Sequence, residues 1–311
     1  MSKDPWRDLS ASLAALRKTH DSALMAAQAA DFSPVAGSPA ALECATEPLA
    51  GPWGDTPTAD ANTSVLLQVT AAMDHLLGLE TLLTGPSLYA PFTVARSVID
   101  IASQAWHQLE PGIGGKERAL RHINSRLRSL WEQTKLVEDD SRAEAQKIRN
   151  DAQQRINVIV SCAQMHHLAV RSPNDRRRAP TVGTPLKSTT VLANACVSDT
   201  VPNLGAAFWR FTSAITHGQA HGLMSAFAPT EGGSLPGAAV GQLQISAKDV
   251  AIRAAGAPLA VISMLQRLYA HFGWPVGDLD RSGHRLVMVW ARVGEVTIPA
   301  QTLPGQRVPG S

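Results

Sequence analysis

Phe208-Trp209-Arg210-Phe211-Thr212-Ser213-Ala214-Ile215-Thr216-His217-Gly218-Gln219-Ala220-His221-Gly222 reads as one helix with its polar groups on one side. Arg210 and His217 are seven apart, about 20° short of two full turns. Ser213 lies between them at i+3, and His221 follows His217 at i+4. Phe208, Ile215 and Leu223 supply the apolar face. The spacing predicts a single helix from about residue 204 to 227. Gly218 and Gly222, four apart, would let another backbone approach closely.

Outward from that stretch the same period recurs. Leu9, Leu13, Leu16 and Leu24 mark a first amphipathic helix over 5–29. Residues 30–60 carry Pro34, Gly37, Pro39, Pro48, Gly51, Pro52, Gly54 and Pro57, and read as an irregular linker. Helices are expected from Asn62-Thr63-Ser64 to 83, over 87–109, 115–136 and 142–170. A short one follows over 188–198, and a last long one over 246–272 before Gly273-Trp274-Pro275. Segments 172–185 and 229–241 read as loops, with a short strand over 242–246. From 277 onward a tail with one apolar run, 286–293, is expected, ending in a flexible Pro/Gly segment. The fold class is therefore all-α: an antiparallel helical bundle core over 61–275, behind an N-terminal helix and linker over 1–60, and followed by a tail over 276–311.

Composition narrows the class. The chain has 311 residues, 44% apolar and 17% charged, enough for a sizeable core. A net charge of +2 is too small to imply nucleic acid by bulk charge. Arginines nevertheless crowd the central third. Three cysteines, Cys44, Cys162 and Cys196, lack CxxC spacing and suit a reducing cytoplasm. The first residues show no apolar signal core, and no run nears the roughly 20 apolar residues of a membrane span. A cytoplasmic protein with no membrane partner is expected. Phosphate-cradling GxxxxGK[ST] and GxGxxG patterns are absent, as are GxSxG and HExxH. No metal site and no cofactor are expected.

Three polar stripes carry the candidate chemistry. In the first, Arg210 would stabilise charge on a phosphate and His217 would take the proton of a ribose 2′-hydroxyl. Ser213, with Asp100 from another helix, would orient them. In the second, Arg96, Asp100, Ser103 and His107 share a helix face; Asp100 can pair with Arg96 or receive Arg210 from a neighbouring helix. In the third, Arg118, Arg121 and Arg128, beside His122 and Ser125, form a basic face for phosphates, with Arg96 as a further RNA contact. Arg176-Arg177-Arg178 add a short basic run in a loop.

The Arg210-x6-His217 segment resembles the HEPN superfamily, all-α proteins whose motif is Arg, four to six residues, then His. It is also similar to bacterial helical proteins with an Arg, Ser, His-Gly segment late in the chain and an Ala-Arg…acid helix earlier, here Ala95-Arg96 to Asp100. The resemblance implies a metal-independent endoribonuclease in a toxin–antitoxin or phage-defence setting, acting as a homodimer on RNA. Arg210 and His217 would be its catalytic pair. Phe211 departs from the polar residue that nuclease members commonly carry after the Arg. That departure implies a degenerate branch: a non-catalytic interaction or scaffold protein, an antitoxin or adaptor with a protein partner, whose stripes are buried networks.

Overall fold

The computed structural model describes residues 4–51, 53–136, 138, 140–171, 178–198, 201–235 and 238–297; of 226–235 and 238–242 the backbone alone is described. The chain is all-α. Its helices are α1 (Pro5–Ala29), α2 (Pro39–Thr46), α3 (Pro57–Leu82), α4 (Ala90–Gln108), α5 (Gly114–Leu136), α6 (Ala143–Met165), α7 (Thr189–Val197), α8 (Leu204–Thr216), α9 (Ala220–Leu223), α10 (Ala247–Arg253), α11 (Gly256–Phe272) and α12 (Gly277–Gly294). Two antiparallel strand pairs interrupt them, β1 (Val170–Arg171) with β2 (Thr181–Val182), and β3 (Phe227–Leu235) with β4 (Ala238–Leu243). Among the described residues no single helix is long and apolar enough to cross a membrane.

The chain divides into two compact units: residues 1–33, 67–107 and 189–311 form the first, and 34–66 with 108–188 the second. In the first, α1 starts at an Asp4 cap, whose carboxylate accepts from the Trp6 and Arg7 amides, with Pro5 preset for the first turn. It buries Leu9, Leu13 and Leu16 completely. Its partner is α12, where a tail was expected. Trp290 Nε1 donates to Ser12 Oγ at 3.1 Å, and Arg292 pairs with Asp8 at 2.8 Å. Asp278 and Asp280 in the first turn of α12 suit the positive helix end. α11 is buried along most of its length and stops where expected, at Gly273, which lies in the left-handed region; the single helix expected over 246–272 is instead α10 and α11, broken after Arg253 and bent by 44°.

In the second unit, α5 and α6 pack around Leu120, Ile123, Leu127, Ile156 and Ile159. The expected linker contains α2, opened by a Ser38 cap and Pro39. From the same segment Glu47 accepts the amides of Thr58 (2.8 Å) and Ala59 (3.1 Å). A carboxylate on those free amides explains why α3 starts at Pro57, earlier than Asn62. Asn124 on α5 is buried and bonds the Val182 amide and carbonyl (2.7 and 2.9 Å), fastening β2. Segment 142–170 also differs from expectation: α6 ends at Met165, with His167 in the left-handed region. The expected terminal Pro/Gly segment from residue 298, and Arg176 and Arg177, lie outside the described residues.

Candidate functional site

The expected 204–227 helix ends at Thr216. His217 is the cap, and Gly218 takes φ +64°. The Gly218 amide donates to Ile215 (3.0 Å) and the Gln219 amide to Ala214 (2.8 Å), which is a complete Schellman stop. After it the chain doubles back, and a Cβ at Gly222 would sit 2.9 Å from the Ala214 backbone. The close approach read into the glycines therefore exists at Gly222, against the preceding helix. His221 is on α9, so the i+4 relation to His217 is lost. Residues 229–241, expected as a loop, fall largely in β3 and β4.

The start and end of α8 keep the first stripe intact. Arg210 and His217 are both exposed, and Ser213 between them is half-buried. Two turns put the backbones of Arg210 and His217 about 10 Å apart along the axis. Among the described residues neither side chain has an ion pair or a hydrogen-bond partner. The guanidinium and the imidazole are thus both open to solvent, seven positions apart at α8 and its cap.

What fastens α8 is the second stripe, on α4. Trp209 Nε1 donates to Asp100 Oδ1 on α4 at 2.7 Å. Asp100 also pairs with Arg96, one turn earlier, and the Arg96 guanidinium lies 4.0 Å from the Trp209 ring centroid. Side-chain exposures of 15% and 27% for Arg96 and Asp100 place the trio at the edge of the core. Burial lowers the Arg96 pKa from its ordinary value. Asp100 is therefore committed to Trp209 and Arg96, and not to Arg210. Arg96 is capped by an indole, which takes it away from an RNA-binding role. Ser103 is wholly buried and donates to its own helix at the Asp100 carbonyl (3.2 Å).

Phe211 is pinned as well. Phe92 meets its ring edge-on at 5.7 Å, and the Arg253 guanidinium sits over it at 5.2 Å. Arg253 in turn pairs with Asp249 at 3.5 Å and donates to the Ser225 carbonyl at 3.3 Å. Tyr89 donates to the Leu223 carbonyl at 2.8 Å, holding α9. The apolar residue after Arg210 is thus the anchor that orients it. Sequence reasoning missed these anchors because Phe92, Tyr89 and Arg253 carry no local pattern.

The third stripe separates into structural and free cations. Arg118 is 1% exposed and bidentate to Glu43 (2.7 and 3.1 Å), with further bonds to the Gln108 and Glu110 carbonyls. A phosphate cannot reach it. Arg121 is taken by Glu110 (2.6 Å) and Glu117 (3.0 Å). Arg128 is exposed and has no ion pair among the described residues, so of the four expected RNA contacts it alone stays available. Cys44, Cys162 and Cys196 are free thiols. Among the described residues no three His, Cys, Asp or Glu side chains gather as a metal site. No protein-family model, curated protein or solved structure matches this chain.

Proposed function

We propose that the chain cleaves RNA at the Arg210–His217 face of α8, as a metal-independent endoribonuclease of HEPN-like character. The observation that carries this is the exposure of both side chains, without a counter-charge among the described residues. The His217 imidazole takes the proton of a ribose 2′-hydroxyl. O2′ attacks the adjacent phosphorus, the P–O5′ bond breaks, and solvent protonates the departing O5′. The products are a 2′,3′-cyclic phosphate and a 5′-hydroxyl end. Arg210 holds the non-bridging oxygens as charge builds on them. A second copy, set against α8 about a two-fold axis, would enclose the strand in a shared cleft. Asp100 and Arg96 act by fixing Trp209, and through it the direction of Arg210.

The test is cleavage of a uniformly labelled RNA in EDTA by the parent, Arg210→Ala and His217→Ala. General-base and charge-stabilising groups each contribute about 10²- to 10⁴-fold, so each variant should lose at least about 100-fold. A parent that leaves RNA intact, or variants that cleave as it does, would remove the proposal.

A second reading, a non-catalytic interaction protein, is favoured by one specific feature. Asp100 is spent on Trp209 and Arg96, leaving it unable to orient the imidazole. On that reading Arg210 and His217 are contact residues on a rigid helix. Neither parent nor variant then cleaves, and because both side chains are exposed, their removal leaves the melting temperature unchanged.

A further inference from the structure

The second unit holds a cleft of about 540 Å³ between α5, α6 and the segment before α3. That is within the roughly 300–1,000 Å³ of small-molecule sites. Trp53 forms one wall, and Val158 and Ile159 form part of the floor. Arg126 from α5 and Arg155 from α6 line it together, with Asp151 and Gln154. Both arginines are exposed, and neither has an ion pair among the described residues. The contrast with Arg118 and Arg121 on the same helix is sharp, since those two are neutralised by Glu43, Glu110 and Glu117.

The aromatic wall carries its own signal. Trp53 stacks on His166, with ring centroids 4.9 Å apart and planes 19° from parallel, so the indole is backed and held. Its Nε1 is buried with no hydrogen-bond partner, and so is His166 Nε2. A buried donor without an acceptor is uncommon in a folded chain. Two guanidiniums without an ion pair among the described residues favour an anion, and the backed ring favours a flat partner. Asp151 opposes a bare anion but can accept from an amino or hydroxyl group.

We propose that this cleft binds a nucleotide, its phosphate on Arg126 and Arg155 and its base against the Trp53 wall. Asp151 and Gln154 receive the sugar hydroxyls or the base edge. The ligand chemistry is the same for a free mononucleotide and for one nucleotide of an RNA strand. The site stands apart from the cleavage proposal and survives its failure.

The experiment is titration calorimetry of the full chain with AMP, UMP, adenosine and inorganic phosphate. Alongside it runs anisotropy with an uncleavable 2′-O-methyl oligoribonucleotide, which removes any contribution from cleavage. AMP or UMP should bind about tenfold or more tighter than adenosine and phosphate. Arg126→Ala/Arg155→Ala, at two exposed positions, should weaken binding about tenfold or more. Trp53→Leu should weaken the nucleotides but not phosphate. Binding of the oligonucleotide alone, with the same loss in the arginine variant, identifies a strand as the source. Absence of saturable binding by every nucleotide probe overturns the proposal. So does equal binding of phosphate and AMP, or an affinity that the double arginine variant leaves unchanged.

Discussion

Removing the Glu43 carboxylate strands a charge in the second unit. Arg118 is 1% exposed and Glu43 12%, with two short contacts between them. Unit charges 4 Å apart at an effective dielectric of 20 attract by about 4 kcal/mol. Breaking one partner of a buried pair typically costs about 3–5 kcal/mol, because the remaining ion keeps its desolvation penalty. Glu43→Ala should therefore destabilise by that amount and lower the melting temperature by on the order of 10 °C. The assay is urea unfolding followed by circular dichroism, on Glu43→Ala, Arg118→Met and the double variant. The two changes should be non-additive by at least about 2 kcal/mol, since either one alone ends the attraction. Additivity within about 0.5 kcal/mol would refute the pairing. A companion measurement separates structure from recognition. Were Arg118 a phosphate contact, Arg118→Met would lower the salt dependence of RNA binding by about one counterion. Here that slope should not move.

Other expectations rest on single contacts. His20 is 2% exposed beside Tyr269, and burial holds its pKa down to about 4 from 6.5, with Asp21 opposing. Between those values the unfolded chain binds a proton that the native state does not, so stability falls as pH drops through that window. From pH 6.5 to 5 His20 should contribute a loss of roughly 1.5 kcal/mol, which His20→Leu should abolish; equal pH slopes for parent and variant in denaturant titrations would contradict this. Trp209→Phe keeps a ring over Arg96 but deletes the bond to Asp100, and should cost about 1.5–3 kcal/mol in thermal unfolding. Gly256→Ala should cost about 1–3 kcal/mol, because its Cβ would sit 2.7 Å from Phe208 Cβ. A variant as stable as the parent would show that α8 and α11 pack less closely than described.

The helices most legible in the sequence are those with a clean period and an honest stop. In α1, leucines at 9, 13 and 16 follow an Asp4-Pro5 start, and α11 ends at Gly273. Two prolines that open helices misled. Pro39 and Pro57 read as breakers, yet each sits in a first turn, where a missing amide hydrogen does no harm. α12 was legible: Leu279, Leu286 and Trp290 recur on one helical face, and Gly277, Gly283 and Gly294 made the segment read as a tail. The stop of α8 was readable: a glycine directly after His217 is the Schellman signature, outweighed in the reading by the continuing i+4 histidine. Local spacing put Arg210 and His217 near one line and left open whether they were buried; their exposure comes from the fold. The supports of α8 and the pairing of Arg118 come from the fold too, because Asp100 and Trp209 are 109 positions apart, and Arg118 and Glu43 are 75 apart. Spacing shows that a basic residue shares a face; only the folded chain shows whether a carboxylate already occupies it.

The central claim concerns chemistry at two exposed side chains, so the chemistry of the product ends tests it most directly. RNA incubated with the purified chain in EDTA should yield fragments ending in 2′,3′-cyclic phosphate and beginning with 5′-hydroxyl. His217→Ala and Arg210→Ala should each suppress them by at least about 100-fold while melting like the parent. Intact RNA, fragments with 5′-phosphate ends, or undiminished cleavage by either variant would contradict the account.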